Sequence, residues 1–302
     1  MGIPAPTFDQ AVEAFLFFCR SKGLMPRTLE TYAFALSRLR LFLARSSPTP
    51  TIPARHELRA FIVEMLERGL SRSSVRVRMR SIRCFANFLE REGLVAESPM
   101  RGVDIPRVPR SEPRVLTPEE IRKLLHAAQQ TTWTGIRNYA MLLTFLDTGI
   151  RLSELISLDM ADVDLGAWTI RVRKGKGGKE RQVFIGKTLH RALRKWVDVR
   201  GATSLDAPFF ITRSGRRHDA RNVDRIVGRI AGRAGLERVS PHALRRSFAT
   251  AFVRNNGNLF ALQRMLGHSD IKVTQLYVGL DNAAVQDAHA KASPVDRLFR
   301  DG

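Results

Sequence analysis

Several short stretches of this chain carry side chains able to hold or attack an anion. Arg151 follows Gly149-Ile150 at the point where one helix stops and another starts, so its guanidinium can project into a cleft beside free backbone N–H groups. Pro241-His242-Ala243-Leu244-Arg245 opens a later helix, and its His and Arg, three residues apart, share a face near the helix N-terminus. Leu266-Gly267-His268-Ser269 reads as a helix ended by glycine and followed by a polar turn, with Tyr277 nine residues beyond His268. Of the three tyrosines, Tyr32 and Tyr139 fall on apolar stripes and Tyr277 does not. Taken singly, the arginine and the His-x-x-Arg pair serve equally well as surface decoration, and a lone tyrosine as a packing residue. Taken as one set, they have the composition of a site for chemistry at phosphate, where guanidinium forks and imidazoles meet oxyanion charge.

The charge balance points to the same partner. The 302 residues include 50 Lys plus Arg against 29 Asp plus Glu, a net charge of +21, which calls for a polyanion. Residues 1–110 hold 18 basic and 10 acidic side chains and the rest 32 and 19, so both halves are basic. Hydrophobic residues at 44% exclude a disordered chain, and the length favours two domains. Cys19 and Cys84 lie far apart on apolar helix faces with no CxxC, which reads as two buried hydrophobes in place of a disulfide or zinc site. The early apolar run from Ala14 to Cys19 is too short to span a bilayer, and Glu13 stands where a signal peptide carries basic charge. The expectation is a cytoplasmic protein without a membrane anchor.

Four amphipathic helices are predicted over the first hundred residues. The first starts at the Thr7-to-Gln10 capping box and stops at Gly23; the second follows Pro26; the third carries Leu58, Phe61, Ile62 and Met65 and closes at Gly69. Each owns one apolar stripe, so they must bundle. The fourth, about 73–92, turns Val75, Met79, Ile82, Phe85 and Leu89 inward and gathers Arg76, Arg80 and Arg83, with Arg72 just before them, into a basic ridge. No carboxylate lies between Arg72 and Arg83, so the ridge is read as a phosphate or groove contact. Pro106, Pro109 and Pro113 mark a linker, here bounded as residues 106–114 between domains at 1–105 and 115–302.

The second domain opens at Thr117-Pro118-Glu119-Glu120, an N-cap, N1 proline and capping-box Glu. Helices are expected over 118–129, 136–147 and 151–158, then over 188–200, 221–234, 241–254, 258–266 and 282–291. Residues 168–173 and 181–185 alternate like strands around the Gly-rich turn 174–180, giving an antiparallel hairpin. The fold class is mainly α with a small antiparallel β-sheet. Asp159, Asp162 and Asp164, the one compact carboxylate group near a motif, read as solvated turn residues and not as a metal site.

The spacing of TGIRLSEL (148–155), KGKGGKER (174–181), SPHALRRSFAT (240–250) and LGHSDIKVTQLYV (266–278) resembles the tyrosine recombinase/phage integrase family, its Xer-type members most closely. The four motifs occur in order across residues 115 to 280, while the first domain resembles the family's SAM-like core-binding domain in helical pattern only. The resemblance implies a mixed α/β catalytic domain in which Arg151, Lys176, His242, Arg245, His268 and Tyr277 form the catalytic set. Lys174 and Lys179, beside Lys176 in the same turn, are then DNA contacts, as are Arg72, Arg76, Arg80 and Arg83. Glu154, three residues after Arg151, is a candidate to orient it. Arg246 stands where Xer-type proteins often carry His, and Val278-Gly279 where many relatives have Thr-His.

What the resemblance implies is site-specific cleavage and rejoining of double-stranded DNA through a 3′-phosphotyrosyl link, with no metal, cofactor or ATP. It implies four protomers on two recombination sites, coupled by the tail after Asp281, with the use of an accessory protein left open. Chromosomal, phage and transposon settings all remain open. A type IB topoisomerase-like relaxation of supercoils and a DNA-binding protein without catalysis are the competing expectations.

Overall fold

The first helix begins as its sequence requires. The Gln10 amide donates to the Thr7 hydroxyl at 3.3 Å and the Thr7 amide to the Gln10 side chain at 3.0 Å, closing the capping box. The computed structural model describes residues 6–109, 113–128, 131–173 and 180–267, in two compact units divided between residues 111 and 112. Lys174, Lys176, Lys179, His268, Tyr277 and the expected helix at 282–291 lie outside the described residues.

The first unit contains α1 (Phe8–Ser21), α2 (Pro26–Leu43), α3 (Arg55–Glu67) and α4 (Arg72–Arg91). Its core is the set of apolar stripes seen in the sequence: Phe15, Leu36, Leu39, Leu58, Val75, Met79, Phe85 and Leu89 are all buried. Phe85 meets Phe8 and Phe15 edge-on at 5.6 and 5.5 Å, and each buried ring contributes about 1.5–3 kcal/mol of burial free energy. Met100 and Val103 join this core, which anchors the chain beyond the fourth helix to the same unit. One cysteine expectation is corrected. Cys19 is buried, but Cys84 is exposed, because α4 turns that position outward, where the Tyr32 hydroxyl donates to its sulfur at 3.7 Å. Burial pushes the Tyr32 phenol up to about 12, with the Cys84 thiol adding to the effect.

The second unit contains α5 (Pro118–His126), α6 (Trp133–Thr148), α7 (Leu152–Ser157), a 3-10 turn (Met160–Asp162), strands β1 (Val163–Asp164), β2 (Thr169–Val172) and β3 (Arg181–Phe184), then α8 (Lys187–Arg200), α9 (Ala220–Arg233), α10 (Pro241–Arg254) and α11 (Leu259–Leu266). The sheet is antiparallel in the order β1-β2-β3, one short strand more than the hairpin expected. Register pairs Ile170 with Val183 and Val172 with Arg181. α6 runs through the middle of the core, with Ala140, Met141, Leu142 and Phe145 buried. Its two buried threonines stay satisfied because Thr144 and Thr148 donate to the carbonyls of Ala140 and Thr144.

α6 stops at Gly149 for two separate reasons. The residue is left-handed (φ +62°), and a Cβ there would lie 2.3 Å from the Phe248 ring and 2.9 Å from Leu266. Only glycine lets α10 and α11 close on the end of α6, and that approach brings the functional side chains together. The aspartates after α7 depart from expectation. Asp159 and Asp162 are buried, not solvated: Asp162 accepts from Arg171 and Arg173, and Asp159 from Arg173 and Arg217. Burying a carboxylate demands such partners, and the arginines on β2 and after it supply them. Asp164 keeps the expected turn role, accepting from the Ala167 amide at 2.8 Å.

Candidate active site

Arg151 is the N-cap of α7, in extended conformation, so its side chain leaves the helix start and does not run along it. Its amide donates to Glu154 Oε2 at 2.7 Å and its Nη1 to Glu154 Oε1 at 2.8 Å, while Nη2 donates to the Gly267 carbonyl at 3.2 Å. The side chain is 26% exposed, and its remaining N–H groups meet no acceptor among the described residues. Glu154 thus bonds both the amide and the guanidinium of Arg151.

Glu154 is almost fully buried and has a second cation. Arg181, at the start of β3, donates Nη1 and Nη2 to its two oxygens at 2.9 and 2.7 Å. Burial by itself would push the Glu154 carboxyl up; the bonds from Arg181 and from the Arg151 amide outweigh it and hold the group below the usual carboxylate range.

Arg245 lies one turn into α10 and is 3% exposed. Its Nη1 donates to the Gly149 carbonyl and its Nη2 to the Leu266 carbonyl at 2.8 Å, tying the ends of α6 and α11 to one guanidinium. His242, in the first turn of α10, keeps an exposed edge. The part of its ring that faces the protein loses hydration, which lowers its pKa below 6.5, and the charges of Arg246, Arg245 and Arg151 lower it further. Arg151 and Arg245 donate to adjacent carbonyls, those of Gly267 and Leu266, although about ninety residues of chain separate them, and His242 lies three residues before Arg245 on the same helix.

The last three carbonyls of this region are each claimed by a different arginine. Met265 accepts from Arg181 Nε at 2.6 Å, Leu266 from Arg245 and Gly267 from Arg151. A helix C-terminus carries partial negative charge, so three guanidiniums there are mutually tolerable. Gly267 itself is left-handed and ends the helix.

Of the expected catalytic residues, Arg151, His242 and Arg245 are brought together, and Glu154 with them. Lys176, His268 and Tyr277 lie outside the described residues, as do Lys174 and Lys179. The α4 arginines belong to the first unit. Arg72, Arg76 and Arg80 have no ion-pair partner among the described residues, and Arg83 gives one bond, Nη2 to the Val103 carbonyl at 3.2 Å. Arg181 was missed by sequence reasoning. Its signal was strand parity: it shares the inward face with Val183 and Ile185, and a cation on that face needs an internal counter-ion.

Comparison with known proteins gives the family and the fold. The model described as "Phage integrase family" matches residues 114–283, and that described as "Phage integrase, N-terminal SAM-like domain" matches residues 12–93. Tyrosine recombinase XerC of Thermodesulfovibrio yellowstonii is 34% identical over 284 residues, covering 91% of this chain and 93% of its own length. Tyrosine recombinase XerD of Oceanobacillus iheyensis is 32% identical, covering 95% of this chain and 99% of its own. Among solved structures, the Tn1549 transposon integrase bound to transposon right end DNA superposes with a TM-score of 0.74 at 18% identity, covering 94% and 99% of the two chains. A lambda integrase dimer bound to a core site gives 0.72 at 17% identity, covering 89% and 97%. These two likenesses concern the fold.

Proposed function

Because this chain belongs to the phage integrase family and is a tyrosine recombinase, an enzyme that cuts and rejoins DNA at specific sites, we propose that Tyr277 is its nucleophile and that Arg151, Lys176, His242, Arg245 and His268 serve the reaction. The observation that carries this reading is the meeting of Arg151 and Arg245 at the end of α11, on the Gly267 and Leu266 carbonyls, with His242 three residues before Arg245 in α10 and Tyr277 eleven residues after Leu266 in the sequence.

The chemistry follows from the residue types. The Tyr277 oxygen attacks a backbone phosphorus, the bond to the 5′-oxygen breaks, and a 3′-phosphotyrosyl link forms. A phenol of pKa about 10 is a weak nucleophile at neutral pH, so its proton passes to a neutral His242 while the arginines favour the phenolate. Lys176 donates the proton that the leaving 5′-oxygen requires. Arg151, Arg245 and His268 meet the charge that grows on the non-bridging oxygens, each well-placed donor contributing about 2.7–4 kcal/mol in the transition state. A 5′-hydroxyl of another strand reverses the step and reseals the DNA in a new order. The phosphodiester bond energy stays in the protein link, so the cycle calls for neither ATP nor metal.

The lowered His242 pKa fixes the sign of the pH dependence. A general base works above its pKa, so cleavage at saturating DNA is expected to persist below pH 6.5. Arg246→Ala removes the charge that acts most strongly on His242 and should move the acid limb to higher pH; a limb that stays in place contradicts the assignment.

The α4 ridge of Arg72, Arg76, Arg80 and Arg83 contacts DNA in this reading, with Lys174 and Lys179 as contacts in the second unit. Affinity then falls with salt at a log–log slope of about −0.9 per phosphate neutralised. Alanine at Arg76, Arg80 or Arg83 should each weaken binding and flatten that slope; three silent substitutions would leave the ridge a solvated surface. Four protomers act on two sites, coupled by the tail. Ala283, Ala284, Val285 and Ala288 give that tail an apolar side, and the exposed rings of Phe184 and Phe260 on β3 and α11 offer it surface to cover. Truncation after Asp281 should retain DNA binding and lose assembly of paired sites, read by native gel.

The direct test of the function is covalent capture. A pool of random-sequence duplexes, each nicked so that the short cleaved strand diffuses away, is incubated with the full chain and denatured. Recovery of protein-linked ends that converge on one sequence is the expected result. A protein that yields no linked DNA from any duplex, including its host's genome, would refute it.

A further inference from the structure

Arg181 has no part in the mechanism above, yet it is among the most tightly held cations of the second unit. Its side chain is 8% exposed, and all three of its nitrogens are engaged: Nε with the Met265 carbonyl, Nη1 and Nη2 with the two oxygens of Glu154. Three of its five N–H groups are spent in this way, and with the side chain 8% exposed little of it is left to meet a phosphate. Arg151 is its opposite, more exposed and giving Glu154 a single side-chain bond through Nη1.

Glu154 thus lies between two guanidiniums of different standing. Facing Arg151 alone, its buried carboxylate would neutralise the cation that the phosphate needs, and the pair would present no net charge to DNA. With Arg181 across both oxygens, the negative charge is already matched, and Arg151 is positioned by Glu154 without being cancelled. Geometry adds a second effect. Arg181 and Arg151 both bridge Glu154 to the end of α11, one at Met265 and the other at Gly267. A Cβ on Gly267 would approach the Arg181 Cδ and Nη1 to 3.2 Å, so the glycine also makes room for this guanidinium.

Resting on the role given to Arg151 above, we propose that Arg181 is a positioning residue for DNA cleavage: it neutralises Glu154 and braces the end of α11, so that Arg151 meets the scissile phosphate with its charge intact.

The test separates rate from affinity, using the duplex recovered by covalent capture. Arg181→Gln should slow adduct formation at saturating DNA about 100-fold, the usual cost of a small displacement at a reacting centre. Its DNA affinity should remain within about twofold of wild type, since phosphate contacts set affinity and Arg181 makes none. Arg181→Lys, which restores charge but not the fork, should recover about tenfold of the rate. Glu154→Gln combined with Arg181→Gln should lose less than the product of the two single losses, because the unmatched carboxylate goes with its partner. A parallel fall of affinity and rate in Arg181→Gln would make Arg181 a DNA contact and overturn the proposal, as would an unchanged rate. If Arg181→Gln does not fold, Arg181→Lys carries the test, and wild-type cleavage by that variant is the overturning result. Should wild type form no adduct dependent on Tyr277, the functional reading falls by itself. The bracing is still decided by amide hydrogen exchange over residues 262–267, expected to quicken about tenfold in Arg181→Gln, with unchanged exchange counting against it.

Discussion

Tyr277→Phe eliminates the covalent protein–DNA adduct and leaves DNA binding intact. The substitution removes one oxygen and keeps the ring, so the contacts that hold the duplex are retained while the only atom proposed to form a bond to phosphorus is lost. Removal of a nucleophile from an otherwise complete site costs about 10⁴-fold or more in rate, which in a trapping assay reads as absence. The measurement is a denaturing gel with labelled nicked duplex, beside a binding titration on the same DNA. An adduct that survives in the variant would move the nucleophile to another residue. A loss of binding equal to the loss of adduct would make Tyr277 a structural residue. On wild type the same gel sets aside a non-catalytic DNA-binding protein, which gives no adduct; a topoisomerase-like enzyme gives one and is told apart by adding a second duplex, to which it joins no strand.

The second large effect is expected at the two arginines of the anion site. Arg151→Ala and Arg245→Ala should each reduce cleavage at saturating DNA by about 10²–10³-fold, the measured scale for loss of one oxyanion donor. Lysine should not rescue either, because a point charge cannot reproduce the planar fork. The two variants should differ in stability. Arg245 is buried and satisfies the carbonyls of Gly149 and Leu266 at once. Its removal strands two buried acceptors, at about 1–3 kcal/mol each, and should lower the thermal midpoint of the catalytic unit by several degrees. Arg151 is partly exposed, and Arg181 still holds Glu154 after its loss. Arg151→Ala should therefore melt close to wild type while failing to cleave. Equal destabilisation in both would show that the carbonyl bonds of Arg245 matter less than their burial indicates.

Much of the architecture was legible because helices write their own periodicity. Thr7 with Gln10 and Thr117 with Glu120 close capping boxes, and the stripes of Phe8-Phe15, Leu36-Leu39 and Val75-Met79-Leu89 are the core of the first unit. Where sequence reasoning fell short, the determining contact was distant. Strand β1 has two residues, too few to alternate. The outward face of Cys84 depends on how far α4 rotates against its neighbours. Asp159 and Asp162 resemble an ordinary polar turn until Arg173 and Arg217 are folded over them.

The order and spacing of four motifs, the excess of basic residues and the local signals of helix and turn are properties of the linear chain. From them alone followed the family, the fold class, the DNA partner and the identity of the residues proposed to act. What folding alone decided is how charge is shared among them. Glu154 lies three residues from Arg151 in sequence, and that neighbour was visible; its second partner, Arg181, is brought from across the sheet, and the α11 carbonyls come from still farther along the chain. Local periodicity is enforced by backbone hydrogen bonds between near neighbours and so can be read in order. The pairing of a buried carboxylate with one guanidinium or with two is set by which segments are packed together when water is excluded, and no spacing along the chain records it.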